Sequence, residues 1–274
     1  MTNSPDRTAA PAPSRAHRPR LRIVHEGLLS LRLERPGRTI RFNPRHPPDD
    51  DDIVVLDWNW SEHLRATEQA VASGRRFDAV APEPVRRWLT DLGLAAGRVH
   101  PSGAVIDGVM VEQQPYQPIP WATPIEGVRK FRSALVRPGR AVRRLASHRG
   151  LPRCEPQVTA LGFADGARLL HANLSLHRGT PDDWLAALAR QRGGADWLLV
   201  GCDFEEDAAV AARVPRLSAA TIVVVDLVNE VRRSIGMPTG LLTPLVDRLR
   251  RDGLDAHLLA AHTSMRFEER PTMQ

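Results

Sequence analysis

The same order of apolar patterns runs through this sequence twice, and that order restricts what the chain can fold into. In the first pass Leu21 and Ile23, then Leu29, Leu31 and Leu33, alternate with polar residues up to a Pro36-Gly37 turn, and Thr39, Ile40 and Phe42 follow. Period-two alternation broken by turn residues marks a meander of short strands. An unbroken apolar strand, Ile53 to Leu56, leads into a helix capped by Ser61, with Leu64, Ala70 and Val71 on its apolar side and Gly74 as its stop. A short strand from Phe77 to Ala81 and a helix through Val85, Trp88, Leu89 and Leu92 to Gly93 close this pass.

The second pass opens on two hairpins, around Asp107-Gly108 and Asp165-Gly166. Thr180-Pro181-Asp182-Asp183 reads as a helix start with Thr180 as N-cap, and Trp184, Leu185 and Leu188 face inward before Gly193-Gly194. Buried strands from Trp197 to Val200 and Ile222 to Val225, helices over 227–235 and 241–251, and a strand over 256–261 complete it. Two strand meanders, each followed by alternating helices and strands, predict an α/β fold with two mixed sheets face to face and helices outside. Three buried strands end in an acid, at Asp57, Asp203 and Asp226. In α/β folds, sites gather at such carboxyl ends.

Residues 1–20, rich in Pro, Ala, Ser and Arg, are expected to form a disordered basic arm, leaving residues 21–270 as one domain. No apolar run reaches the roughly 18–20 residues of a membrane span, and no signal-peptide stretch opens the chain, which predicts a cytoplasmic protein. Cys154 and Cys202 lack metal or redox spacing and read as inert thiols. The acidic run Asp49 to Asp52 lacks the glycine and terminal glutamate of a calcium loop and reads as a solvated turn.

The segment from Asp52 to His63, Asp-Ile-Val-Val-Leu-Asp-Trp-Asn-Trp-Ser-Glu-His, resembles the signature of the metallo-β-lactamase superfamily. There a buried strand leads into Thr-His-x-His-x-Asp-His at a helix start. Asp57 takes the Thr place, Trp58 and Trp60 the two leading His places, Glu62 the Asp place, and His63 keeps the last His. Phe42-Asn43-Pro44 resembles a second family strand. Leu169-Leu-His-Ala-Asn173 lies where a bridging Asp is delivered, and His262 where a terminal His sits. The likeness covers roughly residues 21 to 267 and is nearest to the ascorbate-6-phosphate lactonase and N-acyl-phosphatidylethanolamine phospholipase branch. It implies a four-layer αββα sandwich and a two-metal hydrolytic centre.

The departures bear on that centre. An indole has no lone pair for a metal, so Trp58 and Trp60 remove the first site. Its third His would fall near Gln114 to Gln117, where the chain reads Gln-Pro-Tyr-Gln, and the bridging Asp at Asn173 or Leu174. What the resemblance leaves is Glu62, His63 and His262, with Asn173 as a fourth group. These residues suit one zinc or iron ion at most. The plainer account gives no cofactor: Glu62 favours the helix dipole and His63 is a satisfied, partly buried histidine. The expectation is a degenerate relative, a scaffold or binding module. The alternative is a single-metal hydrolase acting on a phosphoester, lactone or amide.

Other groups are weaker. His148, His171 and His177 are scattered, and Ser175 with His177 lacks the Gly-x-Ser-x-Gly elbow of serine hydrolases. Asp226 with Asn229, Arg232 and Arg233 reads as a helix cap with a solvated charged face. The net charge is +6, with Lys130 the only lysine. The densest positive charge, in a basic insertion at about 126–153, includes Arg129, Lys130, Arg132, Arg140, Arg143 and Arg144, with no acid between Val128 and Arg153. It is a candidate contact for a polyanion, nucleic acid included, or for an acidic protein partner.

Overall fold

The computed structural model describes residues 20–58, 61–116, 150–234 and 239–267. Two seven-stranded sheets carry the chain. The first contains β1 (Leu21–Gly27), β2 (Ser30–Arg35), β3 (Arg38–Phe42), β4 (Ile53–Val55), β5 (Asp78–Val80), β6 (Val99–His100) and β14 (Ser264–Phe267), in the order β14-β1-β2-β3-β4-β5-β6. The second contains β7 (Ala104–Ile106), β8 (Val109–Pro115), β9 (Gln157–Phe163), β10 (Arg168–Asn173), β11 (Trp197–Gly201), β12 (Thr221–Val225) and β13 (Ala256–Leu259), in the order β13-β12-β11-β10-β9-β8-β7. Each sheet is antiparallel through its meander and parallel from β3 to β6 and from β10 to β13.

Side-chain parity builds the layers. Ile53 and Val55 face inward with Leu21, Ile23, Leu31 and Leu33, and meet Trp197, Leu199, Val223 and Val225 of the other sheet. Their neighbours in sequence face outward, because successive strand residues point to opposite faces. Val54 and Leu56 pack under α1 (Ser61–Ala72) and α2 (Glu83–Asp91) through Leu64, Ala70, Val85 and Leu89. Leu198, Val200, Ile222 and Val224 pack under α3 (Asp182–Arg192), α4 (Asp207–Arg213) and α6 (Thr243–Arg251). A short helix, α5 (Asn229–Ser234), follows β12. The result is the expected helix–sheet–sheet–helix sandwich.

Several local expectations need correction. The Thr180 hydroxyl donates to the Ser175 carbonyl instead of capping α3, which begins after Pro181 without a side-chain cap. Asp52 is buried and holds the equally buried Arg41 at 2.5 Å, so the acidic run is half ion pair and not simply a solvated turn. Arg232 is likewise buried against Asp203 and Glu205, while Arg233 is exposed. The expected Asp107-Gly108 turn is present, with both residues at positive φ (48° and 80°), the pairing a tight hairpin requires. The two-residue β6 and the edge strand β14 carry too little pattern to be seen in advance. The N-terminal arm and nearly all of the basic insertion lie outside the described residues.

Candidate functional site

The strand ends that the sequence singled out lie along one rim of the sandwich. β1, β3 and β4 run in the same direction, and β10 to β13 do so in the facing sheet. Asp57 keeps the inward parity of Ile53 and Val55 and is fully buried between the sheets. His171 shares the inward parity of Leu169 and Thr159 that of Leu161, while Asn173, past a register irregularity in β10 and at φ 50°, reaches the same carboxylate. Four side-chain donors therefore converge on one carboxylate. His171 Nδ1 lies 2.8 Å from Oδ2 and Asn43 Nδ2 2.5 Å from Oδ1, with Asn173 Nδ2 and the Thr159 hydroxyl each at 3.4 Å. Such a set suits a carboxylate acting only as acceptor, and it assigns a proton to His171 Nδ1. Asn43 Oδ1 in turn accepts the N–H groups of Asp57 and Trp58, both at 3.1 Å. The turn into the site is thus fixed by the same side chain that holds the carboxylate.

Beside this cluster Trp58 is half-buried, packs against the inter-sheet core and the outer core of the second sheet, and lies 6.4 Å from the Tyr116 ring. The Tyr116 hydroxyl accepts the Leu174 N–H at 3.3 Å, and burial, then Asp57, push its pKa well up. Burial and Asp57 likewise hold the Cys154 thiol up at about 12, and burial raises Cys202, which favours the protonated thiol over the nucleophilic thiolate at both. His171 Nε2, Asn173 Oδ1 and Ser175 Oγ are buried without a hydrogen-bond partner among the described residues. His177 Nδ1 accepts the Gly179 N–H, which fits the turn better than a serine-activating base.

Along the rim a second group surrounds Gly27. Glu230 accepts the Leu28 N–H at 2.5 Å, meets Arg45 at 3.0 Å and lies 3.6 Å from the exposed His262. A Cβ on Gly27 would stand about 2.5 Å from His262 and 2.6 Å from both Arg45 and Glu230, so only glycine, here at φ 95°, lets these side chains close over the strand end. Burial raises the Glu230 pKa, but the Leu28 N–H, Arg45 and His262 outweigh it and hold it below the usual range. His25 is buried beneath, its pKa lowered to about 4 by desolvation against the pull of Asp226 and Glu230.

No protein-family model matches this sequence, and no curated protein matches it significantly. Solved structures do. A metallo hydrolase from the hyperthermophilic archaeon Ignicoccus hospitalis aligns with 91% of this chain and 99% of its own at 12% identity and a TM-score of 0.60. The isothiocyanate hydrolase from Delia radicum gut bacteria aligns with 90% of this chain and 99% of its own, at 12% identity and 0.54. CmlA, a diiron β-hydroxylase from Streptomyces venezuelae, gives 12% and 0.56, this chain covering 90% of itself but 54% of CmlA. These likenesses, with the two mixed sheets between helices, settle the architecture. The chain has the metallo-β-lactamase fold. At such identities the comparison speaks to the fold alone.

A metallo-β-lactamase fold implies a metal, and the donors among the described residues do not fit one. Glu62 accepts from Ser61 at 3.0 Å. His63 is fully buried, not half-buried as expected, with its pKa lowered to about 4 by desolvation, outweighing Glu62, Asp57 and the Pro44 carbonyl. Asn173 turns its amide to Asp57, and His262 sits out on the rim with Glu230. Among the described residues no three His, Cys, Asp or Glu side chains converge as metal ligands. The sequence reading passed over His171 and Asn43 as site residues. The inward parity of His171 with Leu169 was a signal that could have found it, whereas Asn43 follows β3 at φ 47° and no periodicity marks it. Trp60 and the arginines from Arg129 to Arg144, with Lys130, lie outside the described residues.

Proposed function

We propose that this chain is a catalytically degenerate metallo-β-lactamase-fold protein, a scaffold or binding module in which a hydrogen-bonded plug replaces the two-metal centre. One observation carries the reading. The buried Asp57 carboxylate is surrounded by His171, Asn43, Asn173 and Thr159, so the groups nearest the family's ligand positions serve one another. A metal-activated water needs a held cation with an open coordination position. Taking Asp57 or His171 for that purpose would break the cluster and leave buried donors unmatched, each at a cost of roughly 1–3 kcal/mol. The Trp58–Tyr116 contact beside it adds apolar packing where imidazoles would stand in the family pattern. Among the described residues no helix is long and apolar enough to cross a membrane.

The reading is tested by thermal unfolding with and without a strong chelator, and with added zinc or ferrous iron. Stability insensitive to all three is expected. A melting temperature that falls on chelation and returns with one metal would establish a structural or catalytic ion and replace this reading by the single-metal hydrolase.

A further inference from the structure

At the opposite end of β1 from Asp57, a cleft of about 510 Å³ opens where β1 begins and β2 and β14 end. Arg20, Arg22, Arg35 and Arg266 line it against a single carboxylate, Glu34. The strand register makes this placement unusual. Arg22 stands directly opposite Arg266 on β14 and directly opposite Glu34 on β2. Like charges facing each other across an antiparallel pair work against the sheet. A β14 chosen for stability alone would carry an acid or a threonine opposite Arg22.

The four guanidiniums are not equally engaged. Arg35 pairs with Asp165 and lies 4.0 Å over the Phe163 ring, so it is fixed in place. Arg22 is held at 2.9 Å by Glu34 and reaches Ser264 at 3.4 Å. Arg20 and Arg266 are exposed and have no ion-pair partner among the described residues. Phe267 and Pro36 supply an apolar wall, and Phe267 is anchored by an edge contact to His257 at 5.8 Å and by Trp197 at 6.5 Å.

We infer that this cleft is a binding site for a small phosphate-bearing organic anion. Arg20, Arg266 and the open side of Arg22 take the phosphate oxygens, and Phe267 with Pro36 takes the organic part. Guanidiniums match phosphate oxygens in pairs, which favours a compact dianionic group. The site is bounded and Glu34 interrupts its charge, which disfavours a continuous nucleic-acid backbone. It stands apart from Asp57 and does not depend on the loss of metal chemistry.

Calorimetric titration of the whole chain with phenyl phosphate and with inorganic phosphate tests it, on wild type and on Arg266→Thr. Wild type should bind both, phenyl phosphate more tightly. Arg266→Thr should weaken binding at least tenfold while its melting temperature holds or rises, since it relieves the facing charges. Glu34→Gln should tighten binding. Arg248→Thr with Arg251→Thr, on the exposed side of α6, changes net charge without touching the cleft and should leave affinity unchanged. Equal binding by wild type and Arg266→Thr, or equal weakening by the α6 pair, overturns the site. A single-stranded oligonucleotide that binds more tightly than phenyl phosphate and loses that binding in Arg266→Thr would overturn the small-ligand assignment.

Discussion

Asp57 and Glu230 are both carboxylates on the same rim, and their surroundings differ in kind. Asp57 is fully buried, and its partners are neutral amides, a hydroxyl and one imidazole, all buried with it. Glu230 is partly exposed and bridges a backbone N–H, Arg45 and an exposed His262 around a glycine. The first arrangement is rigid, because each group has a neighbour that fails without it. The second is held by long side chains in partial contact with water, where ion pairs contribute little. The difference teaches where this chain holds its rim most firmly: in a sealed hydrogen-bond cluster, with the outer group left adaptable.

Acid should sharpen the comparison most, because each region contains a buried histidine with a pKa near 4, His63 beside Asp57 and His25 beneath Glu230. Both bind a proton less readily folded than unfolded, where the value is near 6.5. Their contribution is therefore complete above pH 6.5, is lost as pH falls from 6.5 to 4, and changes no further below 4. Each accounts for on the order of 3 kcal/mol over that window. Denaturant unfolding at several pH values checks this, and a flat profile between pH 7 and 4 would break the claim that His63 and His25 are shut away from water.

Next in size, Asp57→Ala should cost about 3–5 kcal/mol by leaving four buried donors without their acceptor, and Asp57→Asn somewhat less. A loss under 1 kcal/mol in urea unfolding would show that the cluster does not hold the rim. Trp58→Ala removes a half-buried indole packed on both cores and should cost less than a fully buried tryptophan, about 2 kcal/mol. Tryptophan fluorescence of that variant should lose the component that responds to Tyr116→Phe. Smallest of all, Glu230→Gln keeps an acceptor for Leu28 and loses only the Arg45 and His262 attractions, for about 1 kcal/mol or less. If Glu230→Gln proved as damaging as Asp57→Ala, the contrast between the two carboxylates would collapse.

The architecture was legible because period-two runs such as Leu29 to Leu33 encode which face each residue takes, while unbroken apolar runs such as Ile53 to Leu56 and Ile222 to Val225 mark strands covered on both faces. Glu62 and His63 were placed on a helix start, and they are there. What the pattern could not convey was convergence across the sheets. His171 and Thr159 meet Asp57 over 114 and 102 residues of sequence, a proximity set by register between strands. Arg232 and Asp52 were misread for a related reason, since charge suggests water until a partner such as Asp203 or Arg41 comes near enough for both to be buried. His262 was placed with the remnant ligands, yet it follows β13 onto the rim and meets Glu230.

The central claim is that the cluster around Asp57 stands where metal chemistry stood. Elemental analysis of protein purified without chelator or added metal measures it directly. The account predicts well under one zinc, iron or manganese ion per chain; close to two ions per chain, surviving dialysis, would contradict it.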